Sequence, residues 1–304
     1  MNAQVELNQV GELDRSLYIG GSDAAAILGL SPWKTTLDVY LDKVVGKNEE
    51  VDASKAKIFA RGKRMEPYII DLFAEETGLV IARRGCRYQH PEYPFLCAEI
   101  DAEAESGENI EIKTVHPFAS KDWGIMDTDD IPVYYAAQAM HGLMVTGKQV
   151  CIFGAMIGMD DFRTYRVERD EDVITSLRQK EINFWNMVQN HTPPEPQTTS
   201  DAERLFKKDN GSAVEADENT IETILTLKEL KAQKKELEAA IDGEEAKLKI
   251  AMKDASIITM SGNPLATWKC QVTNRFNQKE FQEAHPALFE QFKRQSESRV
   301  LRLK

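Results

Sequence analysis

Helix-like and strand-like hydrophobic patterns alternate over the first two hundred residues of the chain. Apolar residues recur at helical spacing in "AKIFARGKRMEPYIIDLFAEETG", which predicts a long amphipathic helix that ends at Gly78. The next segments, "LVIARRGCRYQHPEYPFLCAEID" and "NIEIKT", alternate with the period of two that is typical of β-strands. Helical spacing returns in "VYYAAQAMHGLMVTG", and "KQVCIFGAMIG" with "FRTYRVERD" predicts an antiparallel strand pair. We therefore predict a mixed α/β fold in which helices flank a central mixed sheet.

A Pro- and Thr-rich stretch at residues 192–200 is the best candidate for a domain boundary. We place a core domain at residues 1–195 and a C-terminal region at residues 196–304. In that region Lys234 and Glu244 interrupt an otherwise apolar heptad pattern, which predicts a coiled-coil-like helix or a helical hairpin. The segment "SIITMSGNPLATWKCQV" predicts a β-hairpin. The other heptad core positions are Leu227, Leu230, Leu237, Ile241, Leu248 and Ala251.

Composition and charge limit the class of protein only loosely. The 304 residues are 42% hydrophobic, which suffices for one large domain or for one domain with an appendage. The net charge of -12 argues against a surface that is basic throughout, but a local basic groove for nucleic acid stays open. Residues 201–304 carry 18 basic and 18 acidic side chains, so the acidic excess lies in residues 1–200. A carboxylate-lined metal centre and an ordinary acidic domain both agree with that count.

The four cysteines are widely spaced and form no C-x-x-C pair, which argues against a structural zinc and an iron–sulfur cluster. Three of the four lie in apolar runs or beside them, which indicates buried free thiols in a reducing compartment. The N-terminal segment "MNAQVELNQVGELDRS" lacks the pattern of a secretory signal, and no run of 18 apolar residues predicts a membrane span. We expect a cytosolic protein.

One predicted strand carries charges where strands usually do not. In "FLCAEIDAEAESGENIEIKT", residues 95–114, Glu111 and Lys113 project from one face of the second strand. Ile110 and Ile112 project from the other face. Because a buried carboxylate is costly unless it is paired or bound to a metal, this pattern indicates a ligand.

The first strand of this segment ends on a second acid, Asp101. A bent hairpin would bring the carboxyl groups of Asp101 and Glu111 to the same edge. Together with the Ile112 carbonyl and water they suit Mg²⁺, which prefers oxygen ligands. Lys113 would then orient or deprotonate a water, or neutralise charge on a phosphate. In a chain this rich in charge such a pattern often arises by chance, and from these residues alone a hairpin with a solvated polar face is the favoured interpretation.

A glycine–serine turn, "IGGSDAAAILGL", precedes a helix predicted from about Asp23 to Leu30. Gly21 would let the backbone approach an anion closely, and the Ser22 hydroxyl would add a donor at the helix N-terminus. Arg15 would supply a charge-assisted clamp. An ordinary helix cap with a flexible lead-in explains the same residues.

These motifs together resemble the lambda-exonuclease/YqaJ branch of the PD-(D/E)xK nuclease superfamily. The resemblance runs from about Arg15 to Glu168, with four motif blocks in the family's order. Asp101, Glu111 and Lys113 match the signature acid, acid and lysine, although "Ile-Asp" stands where that superfamily often has "Pro-Asp". The resemblance implies a restriction-endonuclease-like core, to which the C-terminal helical and β-hairpin region is an appendage.

The resemblance also assigns roles to individual residues. Glu66 in "RGKRMEPYIIDLF" matches a helix glutamate near the metal, and Gln138 matches a glutamine that hydrogen-bonds at the reacting centre. Arg15 and Ser22 match the pair that holds a DNA phosphate, which implies a preference for a phosphorylated 5′ end. Trp33 in "LSPWKT" would stack on a base or wedge against it at the duplex fork, and a buried tryptophan is an equally open interpretation.

The implied activity is that of an alkaline-exonuclease type enzyme, dependent on Mg²⁺ with Mn²⁺ as a substitute. It would degrade duplex DNA ends 5′→3′ and leave 3′ single strands for recombination. The resemblance further implies a ring-shaped homo-oligomer, a trimer, and a single-strand annealing protein as partner in a bacterial or phage-infected cell. A structure- or site-specific endonuclease with the same metal chemistry is one alternative. A non-catalytic DNA-binding or assembly protein is another.

Overall fold

The computed structural model describes residues 5–6, 14–46 and 53–304 of the chain. It divides into two compact units, Met1–Leu205 and Phe206–Lys304. The division falls ten residues beyond the boundary that we placed after residue 195. The helix Thr199–Leu205 accounts for the difference, because its side chains bond to residues near the N-terminal end of the first unit. The Thr35 hydroxyl donates to Asp201 over 2.8 Å, and the Arg204 guanidinium pairs with Asp38.

The first unit is built on one mixed sheet with strand order β1-β2-β3-β4-β5-β6. Strands β4 and β5 are parallel and the other neighbours are antiparallel. Helix α4 lies between β4 and β5 in the chain, because a parallel connection needs a crossover. This is the mixed α/β architecture that the hydrophobic patterns predict. The elements are β1 Val5–Glu6, α1 Gly21–Ile27, α2 Thr36–Val44, α3 Ala53–Thr77, β2 Ile81–Gln89, β3 Cys97–Ala104, β4 Asn109–Val115, α4 Val133–Thr146, β5 Val150–Ile157, β6 Asp161–Glu168, α5 Glu171–Gln189 and α6 Thr199–Leu205, with 3-10 turns at Arg15–Leu17 and Pro117–Asp122.

Two hydrophobic clusters cover the sheet and determine where the charged residues of β4 project. Ile69 and Phe73 of α3 belong to the same cluster as Ile110 and Ile112 of β4. The other cluster joins α1, α2, α4 and α5 to buried residues of β2, β3, β5 and β6. Because strand side chains alternate, Glu111 and Lys113 project away from the α3 cluster, toward α4.

Strand β2 contains a backbone conformation that favours glycine. Gly85 has a φ of 62°, and the register around Cys86↔Ile100 places it opposite Asp101 of β3. We predict that Gly85→Ala lowers the free energy of unfolding by about 1–2 kcal/mol, since an L side chain is strained at positive φ. Urea denaturation measures the change.

Gly62→Ala is the matched control, because Gly62 lies inside α3 without a positive φ. A methyl group there would meet the Thr114 hydroxyl oxygen at an ordinary 3.7 Å. This variant should gain about 0.5–1 kcal/mol of stability, as alanine does over glycine in a helix. Equal stability changes in the two variants would contradict the strain assigned to Gly85.

The second unit contains one long helix, α7 Glu218–Met252, of 35 residues. The heptad region is therefore one continuous helix and not a helical hairpin. Strands β7 Ile257–Met260 and β8 Asn263–Thr267 form the predicted hairpin, whose turn residues Ser261 and Gly262 both have positive φ. Two short helices follow, α8 Gln278–Ala284 and α9 Pro286–Phe292. None of the helices in the described part of the chain is long and apolar enough to cross a membrane.

Candidate active site

The backbone hydrogen bonding between β3 and β4 is interrupted at Asp101. The β3–β4 pairing ends at Ala102 opposite Ile110. Beyond that pair, a carboxyl oxygen of Asp101 accepts the Ile112 N–H over 2.8 Å, in place of a backbone acceptor. The N–H and C=O of one strand residue point to the same neighbouring strand, so the Ile112 carbonyl faces the same opening.

A cavity of about 230 Å³ occupies this opening. Asp101 enters it from β3, Glu111 and Lys113 from β4, and Glu66 from α3. The structure thus brings together four predicted site residues from three elements. The complete lining is Gly62, Glu66, Asp101, Glu111, Ile112, Lys113 and Thr114.

Gln138 bridges the acid and the lysine on β4. Lys113 Nζ lies 2.5 Å from Glu111 Oε1 and donates to Gln138 Oε1 over 3.2 Å. The Gln138 amide nitrogen donates to the same oxygen of Glu111. Both ends of the amide are therefore engaged, and Gln138 orients the two charged side chains. The Tyr135 ring lies 4.9 Å from Lys113 Nζ, a neighbour that sequence reasoning missed although Tyr135 precedes Gln138 by one helical turn.

The three acids of the cavity are incompletely neutralised. Burial, and then the charge of Asp101, raise the pKa of Glu111 to about 7. Burial likewise raises the pKa of Asp101, and burial with the Asp101 charge raises that of Glu66. Burial lowers the pKa of Lys113, but Glu111 and Asp101 outweigh it and hold that pKa above its usual range.

These residues fit a hard divalent cation. An acidic cavity with raised carboxyl pKa values gains stability from added positive charge. Asp101, Glu111 and the Ile112 carbonyl offer the oxygen donors that Mg²⁺ prefers. In the part of the chain that the structure describes, no three acidic, histidine or cysteine side chains are grouped closely enough to enclose a metal by themselves. Water and substrate oxygens would complete the coordination, as is common for Mg²⁺.

A second cavity of about 150 Å³ shares Asp101 and Glu111 with the first. Arg15 and Ser22 line it, and Arg15 Nη2 donates to the Ser22 hydroxyl over 2.7 Å. Gln138 lines this cavity as well. The predicted phosphate-holding pair therefore lies next to the predicted metal ligands.

Gly21 lets helix α1 approach helix α4 closely. The helix begins at Gly21, two residues before the predicted start, and ends at Ile27, three residues before the predicted end. A methyl group on Gly21 would lie 3.2 Å from Gln138 Cγ, closer than ordinary van der Waals contact. Gly21 lines the second cavity and makes room there for the glutamine.

Lys43, which the sequence analysis missed, holds the segment that carries Arg15. Its buried ammonium donates to the Arg15 carbonyl over 2.7 Å and to the Asp23 carboxylate over 2.8 Å. That carboxylate also accepts the Gly20 N–H. Burial raises the pKa of Asp23, but Lys43 and Arg15 outweigh it and lower the pKa below its usual value. The only sequence signal was a lysine four residues after Val39, on an apolar helix face.

Trp33 is 66% exposed, so the alternative of a buried tryptophan is wrong. Its ring lies edge-on to Tyr134 with 4.7 Å between centroids. Trp33 lines neither of the two cavities. It lies beside α4, which also carries Gln138.

Comparison with known proteins identifies the family. Residues 12–149 match the YqaJ-like viral recombinase domain. The chain is also 32% identical over 308 residues to the protein YqaJ of Bacillus subtilis (strain 168), covering 96% of this chain and 92% of that protein. The chain belongs to the YqaJ-like viral recombinase family. The YqaJ-like match includes every residue that lines the two cavities.

Solved structures similar to this YqaJ-like chain include two named exonucleases. An alkaline exonuclease from Laribacter hongkongensis is 19% identical, with a TM-score of 0.48, over 59% of this chain and 91% of that one. A phage related exonuclease from Haemophilus somnus 129PT is 15% identical, with a TM-score of 0.36, over 58% of this chain and 96% of that one.

Proposed function

We propose that this YqaJ-like protein is a Mg²⁺-dependent DNA exonuclease of the phage recombination type. It would hydrolyse phosphodiester bonds 5′→3′ from double-stranded ends and leave 3′ single strands for annealing. The observation that carries the proposal is that two cavities meet at Asp101 and Glu111. One contains Lys113, and the other contains the Arg15–Ser22 pair. A terminal phosphate held in the second cavity would place the adjoining phosphodiester near the first.

Asp101, Glu111 and the Ile112 carbonyl would hold the metal, with Glu66 assisting from α3. Bound Mg²⁺ would supply charge stabilisation at the phosphate and a more acidic water. The Lys113 ammonium lies in the same cavity as both acids, so we assign it to the charge that develops on the phosphate. Gln138 would keep Lys113 and Glu111 oriented through its two hydrogen bonds.

Hydrolysis from the 5′ end breaks one phosphodiester bond in each cycle. A water oxygen bonds to phosphorus, the bond from phosphorus to the O3′ of the released nucleotide breaks, and that O3′ takes up a proton. The shortened strand then begins with a new 5′-phosphate. Such an end is the ligand that Arg15 and Ser22 would hold for the next cycle.

We predict that Arg15→Ala removes the preference for a 5′-phosphorylated end. A hydrogen bond to a charged group contributes about 1.5–3 kcal/mol, so the preference, measured as the ratio of kcat/KM values on phosphorylated and hydroxyl ends, should fall by roughly tenfold or more. Arg178→Ala is the matched control, because it removes a guanidinium that bonds to Thr175 within its own helix. A preference that survives in Arg15→Ala, or that is lost equally in Arg178→Ala, would refute the assignment.

Linear and closed circular duplex DNA, incubated with Mg²⁺, test the proposed function itself. We expect nucleotides to be released from the linear duplex, the 5′ label to be lost before the 3′ label, and the circle to stay intact. Cutting of the circle would instead indicate a structure- or site-specific endonuclease. Binding of DNA without any hydrolysis would indicate an assembly protein.

Family membership also supports two proposals about partners. The protein would assemble into a ring-shaped homo-oligomer, a trimer, that encloses the duplex. A single-strand annealing protein would take up the 3′ strand as it is exposed. Sedimentation velocity of the protein alone measures its oligomer size, and sedimentation with the annealing protein measures their binding. A monomer that does not bind the annealing protein would contradict both proposals.

A further inference from the structure

Helix α7 carries an apolar stripe that faces solvent. Leu230, Leu237, Ile241 and Leu248 are 54%, 63%, 49% and 44% exposed. They occupy heptad core positions in the central part of the 35-residue helix, and charged residues occupy the two core positions that lie between them. A stripe of this kind normally packs against another helix.

The two charged core positions reveal a symmetry in this stripe. Lys234 lies five residues before position 239, and Glu244 lies five residues after it. The apolar core positions are arranged around the same point. Reversing the helix end for end therefore exchanges each core residue with another one. The exchanged pairs are Leu237 with Ile241, Lys234 with Glu244, Leu230 with Leu248, and Leu227 with Ala251.

We propose that two copies of this chain pair through α7 as an antiparallel coiled coil, with position 239 on the two-fold axis. In this arrangement Lys234 of each copy faces Glu244 of the other, and the remaining core layers are apolar. The same surface serves both copies, as a two-fold interface requires. In a ring-shaped trimer the two copies would belong to different rings, since a two-fold contact cannot relate all three members of one ring. Buried opposite charges at core positions are a known way to specify register and orientation.

Charge disfavours the other arrangements. A parallel pair would place Lys234 against Lys234 and Glu244 against Glu244, which is repulsive. An antiparallel pair shifted by one heptad would place Lys234 against Ala251 or against Leu237 and leave both charges unpaired. Within one chain, Lys234 lies 3.5 Å from Glu238, and Glu244 lies 2.6 Å from Lys247. These pairs are exposed and therefore weak competitors.

Disulfide cross-linking of the full chain tests the orientation. Leu237→Cys and Ile241→Cys would be made separately in a Cys270→Ser background, since Cys270 is exposed and the other three cysteines are buried. Under mild oxidation, an equal mixture should form mainly the mixed disulfide, and each variant alone should form little. Leu225→Cys, an exposed position outside the stripe, is the control. Disulfides within each separate variant, at the expense of the mixed one, would show a parallel pair and overturn the proposal.

Charge exchange tests the register. Lys234→Glu and Glu244→Lys should each weaken self-association by roughly tenfold or more, and the double exchange should restore it. Lys235→Glu changes the same charge outside the core and should have little effect. Equal association in all variants, or none in the parent at tens of micromolar, would overturn the proposal. Neither readout involves hydrolysis, so its result is independent of the proposed exonuclease activity.

Discussion

Lys113→Ala should lower Mg²⁺-dependent hydrolysis of duplex ends by about 10²–10³-fold in kcat, with a smaller change in KM. The reason is the position and charge of the ammonium group. It lies in the cavity with Asp101, Glu111 and Glu66. Burial lowers the pKa of Lys113, but the charges of Glu111 and Asp101 outweigh it and hold that pKa above its usual value. Its charge acts on the phosphate as negative charge develops there, and alanine provides none. Steady-state kinetics on a 5′-phosphorylated duplex measures the loss.

Two further variants separate this effect from general damage. Glu111→Gln keeps the shape of the side chain and removes one metal-binding charge, so we expect a loss at least as large. Lys180→Ala removes an exposed lysine on α5 and should leave kcat unchanged. If Lys113→Ala folds like the parent and retains near-parental kcat, the role assigned to the lysine is wrong.

His141→Gln should lower the free energy of unfolding by about 3–5 kcal/mol, the usual cost of breaking a buried charge pair. The imidazole of His141 lies 2.8 Å from Glu181 and 2.9 Å from the Cys97 carbonyl, and both side chains of the pair are fully buried. The second carboxyl oxygen of Glu181 has no hydrogen-bond partner in the described residues. Removing the histidine would leave a buried carboxylate without its partner. Urea denaturation at pH 6 measures the change.

The pH dependence of this pair has a definite sign. Burial lowers the pKa of His141, but Glu181 and the Cys97 carbonyl outweigh it and raise the pKa above its ordinary value. A histidine with a raised folded pKa contributes its full stability below the unfolded pKa, near 6.5, and loses it as the pH rises through the folded pKa. The stability difference between parent and variant should therefore be largest below about pH 6.5 and shrink above the folded pKa.

A double-mutant cycle checks that the charge pair causes the effect. The double variant His141→Gln and Glu181→Gln should lose less stability than the sum of the two single variants. His191→Gln changes an exposed histidine and should have little effect on stability. Additive losses in the cycle would contradict the coupling.

Local patterns predicted much of the fold and of the arrangement of the candidate site. The strand period of two placed Glu111 and Lys113 on one face of β4, because alternation is a property of the strand itself. Helical spacing predicted α3 and α4, which carry Glu66 and Gln138. The heptad pattern indicated α7 but did not distinguish one helix from a hairpin, because Gly243 is compatible with both.

Features that depend on distant contacts were not predictable. Lys43 bonds to the carbonyl of Arg15, 28 residues away, and its sequence context is that of any amphipathic helix. Gly85, which has a positive φ, lies opposite Asp101, a position that the pairing of β2 with β3 determines. The exposure of Trp33 depends on how its loop lies against α4, which a short local segment does not determine.

Titration with Mn²⁺, followed by its electron paramagnetic resonance signal, tests most directly whether Asp101 and Glu111 hold a divalent cation. The parent should bind the ion, and Asp101→Asn should bind it at least roughly tenfold more weakly, because affinity follows the number of ligand charges. Glu105→Gln, which changes an exposed acid just beyond the same strand, should bind like the parent. Equal affinity of the parent and Asp101→Asn would contradict the metal site from which the proposed hydrolysis follows.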